Sequence, residues 1–108
     1  MPETLWTVLA DPHRRAVLDA LRTGERPVND LVGLLGLTQS ATSKHLRVLR
    51  EAGLVRVRVS AQQRIYALDP RPMAAIDAWL EPYRAIWNRS LDALGDYLDA
   101  TASDPKET

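Results

Sequence analysis

The sequence predicts a mainly α-helical fold with one small β-hairpin. Apolar residues recur every three or four positions through most of the 108 residues, which is typical of amphipathic helices. Two runs typical of β-strands, 54–59 and 64–68, interrupt this pattern, and the polar residues 60–63 between them predict a hairpin turn. The content of 45% hydrophobic and 26% charged residues is typical of a globular domain. We therefore expect one domain over residues 1–100 and a polar, disordered tail over residues 101–108.

Helix signals define two elements at the start of the chain. A short apolar helix is expected from Glu3 to Ala10. Asp11 is a good N-cap, and Pro12 suits the first helical position because its missing N–H would be unpaired there anyway. The second helix should then continue to Arg22 and end near Gly24.

A second pair of helices follows, joined by a tight turn. The first is expected from Val28 to Leu35, followed by Gly36 and by Thr38 as the N-cap of the next helix. That next helix should extend from Gln39 to about Ala52, ahead of a glycine stop and the hairpin. The order helix, turn, helix, hairpin predicts a winged helix-turn-helix.

The helix from Gln39 to Ala52 has one apolar face and one polar face. We expect Thr42, Leu46 and Leu49 to be buried. A polar face on an isolated helix is usually only a solvated surface, but its place between a tight turn and a basic hairpin favours nucleic-acid contact. The residues expected to contact DNA here are Gln39, Ser40, Ser43, Lys44, His45 and Arg47.

The hairpin combines an apolar face with a basic one, since valines alternate with arginines along its first strand. As a wing it would lie along the DNA backbone or in the minor groove. Exposed arginines on an edge strand also discourage aggregation, and this alternative stays open. The residues expected in the wing are Arg56, Arg58, Gln62, Gln63 and Arg64.

The charge is zero in total but unevenly distributed. Residues 38–64 contain six basic residues and one acidic residue, whereas residues 70–108 contain seven acidic and four basic residues. The middle segment therefore suits an anionic polymer, and the C-terminal segment should face away from it.

The C-terminal third predicts a long helix, from about Met73 to Ala100, that Pro82 should kink or split. Its apolar stripe and the first helix expose more apolar surface than one short chain can cover, which favours a homodimer. The alternative is that the tryptophans pack only within one subunit. The residues expected at the dimer interface are Leu5, Trp6, Leu9, Trp79, Tyr83, Ile86, Trp87, Leu91 and Leu94.

Several functions are excluded or disfavoured by what the sequence lacks. Without cysteine there is no disulfide, thiolate metal site or cysteine nucleophile. The two histidines, His13 and His45, are not expected to form a metal-ligand cluster, so no metal or cofactor is predicted. No catalytic motif or phosphate-binding loop is present, which argues against an enzyme. No signal segment or membrane span is found, so we expect a cytoplasmic protein without a membrane partner.

The stretch from Leu9 to Asp69 resembles the ArsR family of winged helix-turn-helix repressors. It contains L-A-D-P-H-R-R over residues 9–15 and S-x-x-S-K-H-L-R-x-L over residues 40–49, and the likeness extends from Leu5 to Leu98. The resemblance implies that the residues named above contact DNA and that the first and last helices form a homodimer.

The resemblance also suggests a regulator that does not respond to metals. Metal-sensing members carry a cysteine pair before the recognition helix or a histidine and carboxylate set on the last helix, and both are missing here. The expected function is therefore a dimeric repressor of its own or a neighbouring operon, binding double-stranded DNA at an inverted repeat. A small-molecule effector is also possible, but the sequence does not identify one. A winged-helix module used only for protein contacts is the alternative.

Overall fold

A computed structural model describes residues 2–102, with side chains for residues 5–101. It is mostly helical and contains a small sheet, which confirms the predicted fold class. In chain order the elements are α1 (Pro2–Leu9), α2 (Pro12–Leu21), β1 (Arg26–Pro27), α3 (Val28–Leu35), α4 (Gln39–Glu51), β2 (Val55–Ser60), β3 (Gln63–Leu68), a 3-10 turn (Arg71–Met73) and α5 (Ala74–Ala102).

The start of α2 is fixed by the predicted cap. The Asp11 carboxylate accepts hydrogen bonds from the backbone N–H groups of His13 at 2.8 Å and Arg14 at 3.2 Å. Pro12 occupies the first helical position. These bonds pair two of the N–H groups that a helix otherwise leaves without partners at its start.

The helix-turn-helix is formed by α3 and α4. Gly36 ends α3 with φ of +66°, a left-handed conformation that glycine adopts without a Cβ clash. The Thr38 hydroxyl accepts from the backbone N–H of Ala41 at 3.0 Å and caps α4. The predicted boundaries of α3 and the predicted start of α4 are confirmed.

The hairpin is tighter than the sequence predicts. Its turn is only Ala61 and Gln62, both with positive φ, at 49° and 71°. Positive φ at both central residues is typical of a type I′ turn, whose twist matches that of paired strands. The adjacent residues expected in the turn, Ser60 and Gln63, belong to the strands and pair with each other.

A third strand, β1, was not predicted. It pairs antiparallel with β3, which gives the sheet order β1-β3-β2. Two residues are too few to show an alternating pattern of apolar and polar side chains. β1 is therefore recognised only from its pairing with β3.

The core lies between the helices and the sheet and holds α4 in place. Thr42, Leu46 and Leu49 are all fully buried, as predicted. Burying a leucine side chain contributes roughly 1.5–3 kcal/mol, so the apolar face of α4 fixes the direction of its polar face. The largest fully buried side chains are Leu31, Leu46, Leu49, Leu54, Val17 and Thr42.

The described chain forms two compact units, which divide between Ala75 and Ile76. Almost all of α5 belongs to the second unit, and it is one continuous helix through Pro82. The alternative that Pro82 splits the helix is therefore wrong, because a proline removes one backbone hydrogen bond while its φ stays close to helical values.

The C-terminal end of the described chain is still helical. Of the predicted polar tail, Thr101 and Ala102 belong to α5, and residues 103–108 lie outside the described residues. Among the helices described, none is both long enough and apolar enough to cross a lipid bilayer.

Candidate nucleic-acid interface

The polar face of α4 forms one side of a groove of about 590 Å³. Residues from the start of α3 and from β3 complete it. Five of the six α4 residues predicted to contact DNA line this groove. Its lining residues are Val28, Gln39, Ser40, Ser43, Lys44, Arg47, Arg50, Arg64 and Tyr66.

Helical spacing explains why these side chains converge. Ser40, Ser43, Lys44 and Arg47 are spaced by three and four residues and therefore occupy one face of α4. Small hydroxyl side chains lie near the N-terminus of the helix, and long cationic ones follow them. A surface with this arrangement can approach a polyanion closely at one end and neutralise its charge at the other.

The four cations of the groove are not neutralised by the protein. Lys44, Arg47, Arg50 and Arg64 are all exposed, and none forms an ion pair with another residue that the structure describes. Their charges are therefore available to a ligand.

Arg50 and Tyr66 are groove residues that the sequence analysis missed. Arg50 lies three residues after Arg47 on the same face of α4, so the helical period could have identified it. Tyr66 is 5% exposed and enters the groove from β3. Its place depends on strand register, which the sequence alone does not fix.

His45 does not lie with the other predicted recognition residues. It does not line the groove, and its Nδ1 accepts a hydrogen bond from Arg14 Nε at 3.4 Å. Its position one residue before the buried Leu46 turns the ring towards α2. His45 thus lies beside the buried face of α4, and its contact with DNA stays a prediction.

Packing of α2 on α4 brings both histidines together beside Asp11. One ligand atom from each of Asp11, His13 and His45 lies within 4.8 Å of the other two. The expectation that neither histidine joins a ligand cluster was wrong, because residues 13 and 45 meet only through tertiary packing. Although desolvation opposes it, the backbone N–H groups of Arg14 and His13 lower the pKa of Asp11.

The arginines of the hairpin lie on two different faces. Directly paired residues on antiparallel strands share a face, and Arg64 pairs with Val59 whereas Arg58 pairs with Ile65. Arg64 therefore projects towards the groove. Arg56 and Arg58 line a separate cavity of about 310 Å³ on the opposite face of the sheet.

Both arginines on that opposite face lie close to carboxylates. Arg58 forms a bidentate ion pair with Glu25, and its hydrogen bond lowers the pKa of the Glu25 carboxyl. Arg56 Nε is 4.0 Å from an oxygen of Asp69. The basic residues of the hairpin therefore lie on two surfaces, with Arg64 in the groove and Arg56 and Arg58 outside it.

Comparison with known proteins gives the family. A family model described as "Bacterial regulatory protein, arsR family" matches residues 11–57. The HTH-type transcriptional regulator Rv2034 of Mycobacterium tuberculosis is 35% identical over 103 residues, which is 95% of this chain and 94% of the relative. The chain belongs to the ArsR family. It is accordingly a DNA-binding transcriptional regulator and not an enzyme.

Solved structures of ArsR relatives have the same fold. The crystal structure of an ArsR family transcriptional regulator matches with a TM-score of 0.70 at 32% identity, over 82% of this chain and 94% of the other. The crystal structure of NolR from Sinorhizobium fredii gives a TM-score of 0.63 at 35% identity, over 76% and 83%. The predicted winged helix-turn-helix is thereby confirmed.

This ArsR chain also exposes an apolar stripe along α5. Seven of the predicted interface residues are between 42% and 59% exposed, namely Trp6, Trp79, Tyr83, Ile86, Trp87, Leu91 and Leu94. Leu98 and Tyr97, at 54% and 68% exposed, extend the apolar surface towards the end of α5.

Two predicted interface residues of α1 are less accessible. Leu9 is half-buried. Leu5 is only 6% exposed in the single chain, so its side chain is already covered before any second copy binds. Leu5 therefore packs within its own subunit, and its place at a dimer interface stays a prediction.

Proposed function

We propose that this ArsR chain is a sequence-specific, homodimeric repressor of its own or a neighbouring operon. The observation that carries the proposal is the groove. There the polar N-terminal face of α4 meets four cations that have no ion-pair partner in the described part of the chain. A winged-helix module that served only for protein contacts would have no need of such a surface.

The groove side chains divide into two roles. Gln39, Ser40, Ser43 and Lys44 lie at the N-terminal half of α4, the part of a recognition helix that contacts base edges in the major groove. The small serines allow the helix backbone to approach the bases closely. Lys44 and Gln39 offer the hydrogen-bond donors that base edges accept.

The remaining cations are proposed to contact phosphates. Arg47, Arg50 and Arg64 surround the polar end of α4 and would fix the orientation of the helix on the duplex. Gln62 and Gln63, both exposed at the hairpin tip, would reach the backbone or the minor groove. Arg56 and Arg58 are proposed as weaker contacts, since each must first compete with a carboxylate.

The apolar stripe on α5, together with Trp6 and Leu9, is proposed as the homodimer interface. In a dimer with two-fold symmetry, the same apolar face of each copy packs against that of the other. Two recognition helices related by that axis would enter successive major grooves about one helical turn apart, so the operator is expected to be an inverted repeat.

DNA binding is tested by a mobility-shift titration on the DNA upstream of the gene, with random duplex of equal length as the control. The titration is repeated over a range of salt, because phosphate contacts make all binding salt-dependent. Preference for the upstream DNA is expected. Equal affinity for both duplexes at every salt concentration would contradict an operator.

Repression is tested by transcription in vitro from the same upstream DNA. Added protein should reduce the transcript, since an operator overlapping the promoter blocks polymerase. An increase in transcript would instead show activation.

Dimerisation is tested by sedimentation of the Trp87→Ala variant. Loss of a 43% exposed tryptophan from the stripe should produce monomer at micromolar concentration while the parent chain stays dimeric. Arg89→Ala, on the same helix but outside the stripe, is the matched control and should remain dimeric. A dimer that survives Trp87→Ala unchanged argues that α5 is not the interface.

The sequence predicts a regulator that does not respond to metals. We propose this only for metals that are sensed through cysteine thiolates. With no cysteine, the chain cannot sense thiophilic ions through a thiolate site. We expect operator binding to persist in the presence of a chelator. As a DNA-binding regulator the chain is proposed to act in the cytoplasm, where a bacterial chromosome lies.

A further inference from the structure

A cluster of metal-ligating side chains lies outside the DNA groove. Asp11 is the N-cap of α2, His13 lies in the first turn of α2 and His45 lies in α4. The two imidazole rings have centroids 5.5 Å apart, and His13 Nδ1 is 3.7 Å from Asp11 Oδ1. Three side chains of ligand types that suit one ion therefore meet where the recognition helix packs on α2.

The donor set indicates the class of ion. Two imidazoles and one carboxylate are a typical three-ligand set for Zn²⁺ and for related ions such as Co²⁺ and Ni²⁺. In a tetrahedral site with bonds near 2.1 Å, the ligand atoms lie about 3.4 Å apart. The three ligand atoms now lie within 4.8 Å of one another, so an ion must draw them closer together. We propose that Asp11, His13 and His45 bind one divalent transition-metal ion.

The surroundings leave the necessary atoms accessible. Both backbone hydrogen bonds to Asp11 go to Oδ1, and no described residue donates to Oδ2. His13 is exposed and can rotate towards the ion. Water can fill the fourth position on that solvent side, as it does in open three-ligand sites.

Arg14 competes with the ion for His45. Its Nε donates to His45 Nδ1, which therefore uses a lone pair in this bond. If the ion binds Nδ1, it takes the lone pair that accepts from Arg14. If it binds Nε2, the ring proton must lie on Nδ1, which can then no longer accept. Either way of binding the ion therefore breaks the hydrogen bond from Arg14 to His45. The guanidinium charge also repels a cation nearby. Removing Arg14 should therefore strengthen metal binding.

This competition links the site to α1. Arg14 Nη1 also donates to the backbone carbonyls of Thr7 at 3.4 Å and Val8 at 3.3 Å. Arg14 is thus hydrogen-bonded to both α1 and the recognition helix. Metal binding would release it from the recognition helix.

The test uses the untagged full chain, freed of metal by a chelator and titrated with Zn²⁺ by calorimetry and with Co²⁺ by visible absorption. We expect one ion per chain. His13→Asn and His45→Asn should each weaken binding by about tenfold or more, since even supporting residues of metal sites have effects of that size. Asp19→Asn, which changes an exposed carboxylate on the same helix, is the control and should bind like the parent chain.

A loss of metal binding can be distinguished from a loss of folding or of DNA binding. His13 is exposed, so His13→Asn should keep the parent circular dichroism spectrum, and the assay contains no DNA. Arg14→Ala should raise Zn²⁺ affinity several-fold. The proposal is overturned if the parent chain binds no Zn²⁺ at millimolar concentration, or if His13→Asn binds it as tightly as the parent. Failure of either kind leaves the proposed operator binding unaffected.

Discussion

The two basic surfaces of this ArsR chain differ in whether their cations already have carboxylate partners. In the groove, Lys44, Arg47, Arg50 and Arg64 have no acidic partner among the described residues. On the opposite face of the hairpin, one arginine is held by Glu25 and the other lies beside Asp69. The sequence counts all these cations equally, but only the first surface offers its full charge to a ligand.

The difference also ranks the two surfaces energetically. An exposed ion pair is worth only about 0–1 kcal/mol, so Glu25 does not prevent Arg58 from leaving it. A phosphate must nevertheless replace an existing carboxylate there. In the groove a phosphate replaces only water and counterions. The groove should therefore dominate both affinity and specificity.

The largest expected effect follows from truncating the groove. Lys44→Ala or Ser43→Ala should weaken operator binding by about 1–3 kcal/mol, because a contact to a base edge is lost. Fluorescence anisotropy on operator and scrambled duplexes measures this loss. Arg58→Ala, on the paired face, is the control and should change operator affinity far less. Similar losses in all three variants would remove the distinction between the surfaces.

A second prediction concerns the buried side of the same helix. Thr42 Oγ1 is fully buried, and no partner for it is present among the described residues. An unpaired buried hydroxyl costs about 1–3 kcal/mol, so Thr42→Val should raise the free energy of unfolding by roughly 1 kcal/mol. Urea unfolding measures it, and DNA affinity should stay constant. Destabilisation would show that the hydroxyl has a partner, such as a buried water.

A third prediction uses salt dependence to distinguish the two faces. Arg64→Ala should lower the slope of log affinity against log salt by about one, because one phosphate contact is lost. Glu25→Gln should change the slope in the opposite direction, since it releases Arg58 to bind a phosphate. An unchanged slope in Glu25→Gln would show that Arg58 does not reach DNA even when it is free.

The last prediction concerns the ion pair between Asp69 and Arg71. Arg71 donates to Asp69 through its side chain and backbone, which lowers the pKa of Asp69 from 3.8 to about 2. A lowered pKa contributes stability that is fully present above pH 3.8 and is lost as the pH falls towards about 2. The Asp69→Asn variant should therefore be less stable than the parent chain at neutral pH. Its stability should also fall less steeply than that of the parent as the pH decreases from 3.8 to about 2. Parallel pH profiles of melting temperature would contradict this role.

Local sequence signals predicted much of the fold and most of the groove. Thr38 and Gly36 mark the turn between α3 and α4 through capping chemistry that depends only on neighbouring residues. The three-and-four spacing of α4 predicted both its buried side and its groove side. These inferences succeed because the relevant contacts lie within about one helical turn.

The inferences that failed depend on residues far apart in the chain. Glu25 neutralises Arg58 across 33 positions, and His13 meets His45 through helix packing. Strand register, which alternation alone does not specify, separates Arg58 from Arg64. Leu5 shows the same limit, since an apolar side chain on a short helix suits a core and an interface equally well.

The hairpin turn of Ala61 and Gln62 has a consequence for how such a regulator can evolve. Left-handed backbone costs about 1–2 kcal/mol at a residue with a Cβ, and neither position is the glycine or asparagine that would avoid much of this cost. The tip is therefore less stable than it could be. In return it presents a glutamine amide, both donor and acceptor, at the outermost point of the wing. Exchanges confined to these two residues could alter target preference while leaving the recognition helix and its core untouched.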